Sequence, residues 1–203
     1  KLWKSYLAYT MNITSCETYD KVTFRSKTHA WHEFCFDFFF NSQQYSSKKS
    51  KDPFYDIFFS MDMMNDACYD CNSRSSMAYG DIRLGDYWGE KYDTDTKGVS
   101  AVVLKTSKGV EFFNDIKDRL NTEEATLNHI LIGQSYGKPH SFNEKRRNFL
   151  LQNISEHTDL QQVYKTYMGM FPLKARLKRQ LKAIVKLCPK SIYFPLKKWM
   201  HSI

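Results

Sequence analysis

Gly80-Asp81-Ile82-Arg83-Leu84-Gly85-Asp86-Tyr87-Trp88-Gly89, followed by Lys97-Gly98-Val99-Ser100-Ala101-Val102-Val103-Leu104-Lys105-Thr106, is the stretch on which the fold turns. Aliphatic and β-branched residues gather in Asp81 to Leu84 and in Val99 to Thr106, and Gly and Asp punctuate the segment between, so two strands flanking a long turn are expected. Helical spacing takes over from Lys108 to Leu120, with Phe113, Ile116 and Leu120 on one face. Upstream, an opening helix carrying Leu2, Trp3, Tyr6 and Leu7 precedes a short strand at Lys21 to Arg25. Trp31 to Phe40 alternates, with His32, Phe34, Phe36, Phe38 and Phe40 on one face, and predicts a half-buried strand. Asn41 to Pro53 is polar and predicts a loop, and Phe54 to about Met64 suits a helix. Further helices are expected over Glu123 to Ile132, Asn143 to Asn153, Asp159 to Met168 and Leu173 to Leu187. Strands first and helices later, with no repeat at solenoid periods, predict an α+β fold: a mixed or antiparallel sheet with helices, then a helical C-terminal tail.

Composition narrows the functional classes. Aromatic residues make up 16% of the 203, including 15 Phe and 13 Tyr, which is too rich for a disordered chain. The net charge of +8 is confined to one end: from Leu173 onward there are nine basic residues and no acidic one, which leaves 21 basic against 22 acidic in the body. The tail lacks interleaved aromatics until Tyr193, Phe194 and Trp199, so nucleic-acid binding is not expected. Leu173, Leu177, Leu181, Ile184 and Cys188 share helical spacing among lysines and arginines, and Pro189 ends the run. This is the pattern of a basic amphipathic helix for an anionic surface, membrane or partner, and equally of a terminal helix whose leucines pack on the domain's own core. Five cysteines without a disulfide-like framework favour a reducing compartment, so a cytoplasmic location is expected, with the tail as a means of lying against the inner face of the membrane. The sequons at Asn12 and Asn153 are then chance matches.

The sharpest chemical feature is Cys68-Tyr69-Asp70-Cys71. Two thiolates at this spacing reach one metal or cluster from a turn, yet supply only half of a tetrahedral ligand set. Cys16, Cys35 and Cys188 are scattered, so the pair is either unligated or completed from elsewhere. Asp93 to Gly98 mimics the start of a calcium loop, but Leu104 stands where the bidentate glutamate belongs, and a surface turn is expected. His29 and His32 would point to opposite faces of a strand, so they do not form a metal pair.

Cys68-x-x-Cys71, Asp81-Ile82, Gly85-Asp86-Tyr87-Trp88-Gly89, Lys97-Gly98-Val99-Ser100, Thr106 and Lys108-Gly109 occur in an order that resembles the C-terminal domain of coenzyme F420 hydrogenase/dehydrogenase beta subunits. Phe24-Arg25-Ser26-Lys27 with Trp31, and Arg146-Arg147-Asn148-Phe149, extend the resemblance over about residues 1 to 150. Many relatives carry a basic residue shortly before the Asp-Ile pair, where this chain has Met77-Ala78-Tyr79-Gly80.

The resemblance implies an oxidoreductase subunit with a 4Fe-4S iron–sulfur cluster and commonly FAD, exchanging electrons with a deazaflavin such as coenzyme F420 or with another soluble carrier. It implies Cys68 and Cys71 as cluster ligands, and Asp81, Gly85, Asp86, Trp88, Gly89 and Lys97 as cofactor-binding residues near Cys71. Glycines on both sides would let the backbone approach a cofactor, and the aromatic pair would stack on it; a tight turn carrying a core tryptophan explains the same segment. Bacterial members of polysaccharide loci have a ferredoxin-like N-terminal domain with further cysteines. This chain opens on Lys1, and is accordingly expected to be a C-terminal part whose missing ligands lie upstream. The expected organisation is a domain over 1–155 and a basic helical tail over 156–203. The alternative is a non-catalytic interaction domain in a polysaccharide biosynthesis system.

Overall fold

The computed structural model describes residues 1–28, 30–71, 73, 80–92, 95–131, 134 and 140–185. The elements in chain order are α1 (Leu2–Thr14), β1 (Lys21–Ser26), β2 (Cys35–Phe40), β3 (Gln43–Lys48), α2 (Pro53–Phe59), α3 (Asp66–Tyr69), β4 (Ile82–Asp86), β5 (Ser100–Leu104), α4 (Ser107–Ile116), α5 (Leu127–Ile130), α6 (Glu144–Asn153), α7 (Leu160–Gly169) and α8 (Leu173–Val185). The fold is α+β, and both of its sheets are antiparallel. The chain forms two compact units, one of Lys1–Thr18, Ser50–Met63 and Phe142–Ile203, the other of Tyr19–Lys49 and Met64–Ser141.

The first unit is helical. Tyr6, Ile57, Leu150, Ile154, Leu160 and Tyr167 are buried and form its core, and two buried aspartates tie its segments together. Asp52 caps α2, accepting from the backbone N–H of Phe54 at 2.9 Å and of Tyr55 at 3.2 Å, and also accepts from the Tyr6 hydroxyl of α1. Pro53 at the first helical position suits this start, because its missing N–H would have been unpaired there. Asp62 binds Arg146 Nε at 2.7 Å and the Tyr167 hydroxyl at 2.7 Å, joining the end of the α2 segment to α6 and α7.

The second unit holds both sheets. In β1-β2-β3 the central strand β2 pairs on both edges, and the expectation of a half-buried strand is corrected: Cys35 and Asp37, on the supposed outer face, are 0% and 3% exposed. The strand is also shorter than expected, since Trp31 to Phe34 lie ahead of it. The polar stretch after it is not simply a loop. Asn41 and Ser42 both adopt positive φ, 46° and 61°, forming a two-residue turn that returns the chain as β3 in register from Phe40↔Gln43 to Cys35↔Lys48.

Asp37 can be buried because it is surrounded by donors. Ser46 Oγ donates to it at 2.6 Å and Cys35 Sγ lies 3.3 Å away. Burial works against its ionisation, but hydrogen bonds from Ser26, Ser46 and Cys35 outweigh that and hold its carboxyl below the ordinary range. The Cys35 thiol is pushed up, first by its own burial and then by Asp37. Because the folded-state value of Asp37 is depressed, its contribution is present above the unfolded carboxylate pKa of about 4 and is lost as the pH falls through the lower folded value. Asp37→Asn is therefore expected to flatten the fall in urea midpoint below about pH 4, measured beside the unsubstituted protein.

Candidate functional site

Asn65 caps the short helix α3, accepting from Ala67 N–H at 3.0 Å, and this turn carries Cys68. Asp70, at the helix end, leaves α geometry with φ −111° and ψ 45°, so Cys71 follows on the exit from the turn. Both cysteines are half-buried and neither is in a disulfide. That is an accessible thiol pair of the kind a shared metal or cluster requires. Among the described residues no group of three His, Cys, Asp or Glu side chains converges to hold a metal. The pair by itself supplies two thiols, half of a tetrahedral ligand set.

β4 and β5 form an antiparallel ribbon in register from Ile82↔Leu104 to Asp86↔Ser100. The expected site residues divide between its two ends. At one end Asp81 accepts from the Thr106 hydroxyl at 2.7 Å, and its carbonyl accepts from Lys105 N–H at 2.9 Å. Thr106 in turn caps α4 by accepting from Gly109 N–H at 3.2 Å, so Asp81 clamps the ribbon to the start of the next helix. Asp86 lies at the opposite end, five residues and about 17 Å of strand away. Asp81 and Asp86 therefore do not share one small binding patch.

The Asp86 end is where side chains gather. Asp86 pairs with Arg25 Nη2 at 3.2 Å. Arg25 adopts φ 48° at a point where the β1–β2 register shifts between Thr23 and Ser26, a bulge that re-aims its side chain. Its guanidinium and the Lys49 ammonium both lie over the Phe34 ring, at 4.9 Å and 4.6 Å. Trp88 is 37% exposed and packs against Trp31, with ring centroids 4.6 Å apart. Trp31 is buried, packs on His32 at 4.0 Å, and donates its backbone N–H to the Thr96 carbonyl at 2.9 Å.

Gly98 needs to be glycine on two counts, a φ of 87° and the Trp31 ring 3.0 Å from where a Cβ would sit. The turn before it is built by Asp95, whose carboxylate accepts from Lys97 and Gly98 N–H, both at 2.7 Å. This carboxylate serves the backbone, as the reading of a surface turn requires; Asp93 and Thr94 lie outside the described residues, as do His29 and Met77 to Tyr79. Lys97 is exposed, and its carbonyl accepts from Lys27 Nζ at 2.9 Å. Gly85 lies against the Gln134 side chain, which also donates to the Asp86 carbonyl, and a Cβ at the buried Gly89 would run into the Tyr87 ring.

Asp86, Trp88 and Lys97 are thus brought together. Arg25, Lys27, Trp31 and His32 join them from 50 to 70 residues upstream, which spacing within the Gly85–Gly89 block does not reveal. Arg25, Lys27 and Trp31 were marked only by the family resemblance. A half-exposed indole beside exposed cationic side chains suits a flat, anionic ligand.

Fold and site define an α+β chain that offers a thiol pair and an aromatic, cation-rich ribbon end. The family model for the C terminus of the coenzyme F420 hydrogenase/dehydrogenase beta subunit matches residues 5–129, and the chain belongs to that family. The family is associated with oxidoreductase subunits, and its name with coenzyme F420. Both cysteines of the pair and the whole Asp81-to-Lys97 set lie inside the matched residues, whereas α6, α7 and α8 lie beyond them. No curated protein and no solved structure matches the chain. Among the described residues no helix is long and apolar enough to cross a membrane.

Proposed function

We propose that this chain is the C-terminal part of an iron–sulfur, flavin-dependent oxidoreductase subunit that passes electrons between a cluster or flavin and a soluble donor or acceptor such as coenzyme F420. The observation that carries the reading is the half-buried Cys68–Cys71 pair on its capped turn, within a chain of this family. Cys68 and Cys71 hold two positions of a 4Fe-4S cluster, and cysteines of a ferredoxin-like domain upstream of Lys1, or of a redox partner, hold the others. When bound, the cluster supplies one-electron transfer. Trp88 and Lys97, with Arg25 and Lys27, would hold the flavin, while Asp86 orients Arg25.

The test uses the complete protein, purified without oxygen. Iron and sulfide content and the visible absorbance of the cluster are expected to collapse in Cys68→Ser and in Cys71→Ser, while the far-ultraviolet circular dichroism stays unchanged. Unchanged iron content and spectrum in both variants would overturn the ligand assignment. A complete protein that carries neither iron nor flavin would instead favour the non-catalytic interaction domain of a polysaccharide biosynthesis system.

A further inference from the structure

We infer that α8 is a docking helix for an anionic lipid bilayer, lying in the plane of its headgroups. Its leucine stripe is not spent on the protein's own core: Leu173, Leu177 and Leu181 are 68%, 49% and 56% exposed. The helix is held from another side. Arg179 forms an ion pair with Asp56, donates to the Tyr164 hydroxyl at 3.0 Å and lies 3.4 Å from Met168 Sδ. At about 100° per residue, Arg179 sits between roughly 120° and 160° around the helix from each of the three leucines. The anchor therefore presents the stripe outward.

The borders of the stripe fix the partner's chemistry. Lys174 and Lys178 flank it on one side and Arg176 on the other, all exposed, and the chain from Leu173 onward holds nine basic residues with no acidic one. An apolar stripe with cationic margins matches a surface that is apolar below and anionic at its rim, which is the headgroup boundary of an acidic bilayer. Five of the residues Leu173–Val185 are lysine or arginine, too many to enter the hydrocarbon, so the helix lies flat. Lys186, Pro189, Tyr193, Phe194, Trp199 and Met200 lie outside the described residues.

Co-sedimentation of the full chain with phosphatidylcholine vesicles, with and without phosphatidylserine, tests this. Binding is expected to the phosphatidylserine vesicles only, and to weaken as salt is added. The paired substitution Leu177→Asp and Leu181→Asp should abolish it without shifting the thermal midpoint, because both side chains already face solvent. Lys174→Glu with Lys178→Glu should weaken it by about tenfold or more. Failure to bind either vesicle overturns the inference. So does binding that survives the leucine substitutions, and so does a leucine variant whose only change is a smaller molecular mass in solution, which would assign the stripe to a protein contact.

Discussion

Asp62→Ala is expected to lower the folding free energy by about 3–5 kcal/mol, the range for removing one member of a buried, hydrogen-bonded ion pair. Asp62 is 0% exposed and receives Arg146 Nε at 2.7 Å, the Tyr167 hydroxyl at 2.7 Å and the backbone N–H of Asn143 at 3.0 Å. Its own carbonyl accepts from Arg147 Nη1 at 3.1 Å. Without the carboxylate, the buried Tyr167 hydroxyl and the start of α6 lose their acceptor, and the Arg146 guanidinium, 4.2 Å over the Phe171 ring, loses its counter-ion. Burial works against the charge on Arg146 and Asp62 offsets that cost, so the substitution leaves the cost uncompensated; an arginine keeps its proton at neutral pH all the same, and the loss should persist across that range. Burial, above all, pushes the Tyr167 hydroxyl well above its ordinary pKa, so it stays a neutral donor in need of an acceptor. Asp62→Asn keeps one acceptor oxygen and should fall between the two. Urea unfolding followed by circular dichroism measures the series, with Lys4→Ala as control. The Lys4–Glu156 pair is 66% and 55% exposed, so that variant should match the parent. An Asp62→Ala midpoint equal to that of the control would refute the role of Asp62 as a latch.

How much of this was legible in the sequence depended on where each segment's pairing groups come from. α1 forms where its apolar spacing placed a helix, and β1, α6 and α7 match their expected bounds within a residue or two, because apolar spacing and caps such as Asn143 and Asp159 are local signals. β4 and β5 were equally visible as aliphatic runs. β3 was not, because Gln43 to Lys48 is an edge strand with no buried face, held by backbone bonds to β2, so no alternation marks it. Asn41, a residue tolerant of left-handed backbone, was the available sign of a tight return. The burial of Asp37 was hidden for a different reason: hydroxyls on neighbouring strands stabilise it, and strand periodicity says nothing about which donors lie across the ladder. Among the described residues of the helix expected over Glu123 to Ile132, Leu127–Ile130 is helical, since Thr126 caps it and Glu123 is drawn to Lys91 and Tyr92. At the site, the Cys-x-x-Cys spacing announced itself, whereas the Arg25–Asp86 and Lys27–Lys97 contacts span 61 and 70 residues.

Trp31→Ala is expected to cost the second unit about 3–5 kcal/mol, as for other large aromatic truncations in a core. Trp31 is 3% exposed, packs against both Trp88 and His32, and lies against Gly98, so its removal leaves a cavity bounded by an aromatic ring and a backbone turn that cannot both close in. Trp31→Phe should lose markedly less than its lost area implies. The Trp31 indole nitrogen is buried with no hydrogen-bond partner among the described residues, and phenylalanine removes that donor along with the extra ring. Trp88 separates packing from ligand contact: it touches the same ring but is 37% exposed, so Trp88→Ala should shift the urea midpoint less than Trp31→Ala. If Trp88 is a wall of the flavin site, its removal should still strip flavin from the purified complete protein, read as the ratio of flavin to protein absorbance. A double-mutant cycle over Trp31 and Trp88 measures their coupling, expected at about 0.5–1.5 kcal/mol for rings in direct contact. A Trp31→Ala protein as stable as its parent would remove the packing argument, and a Trp88→Ala protein with full flavin content would leave Trp88 as a lid on Trp31 alone.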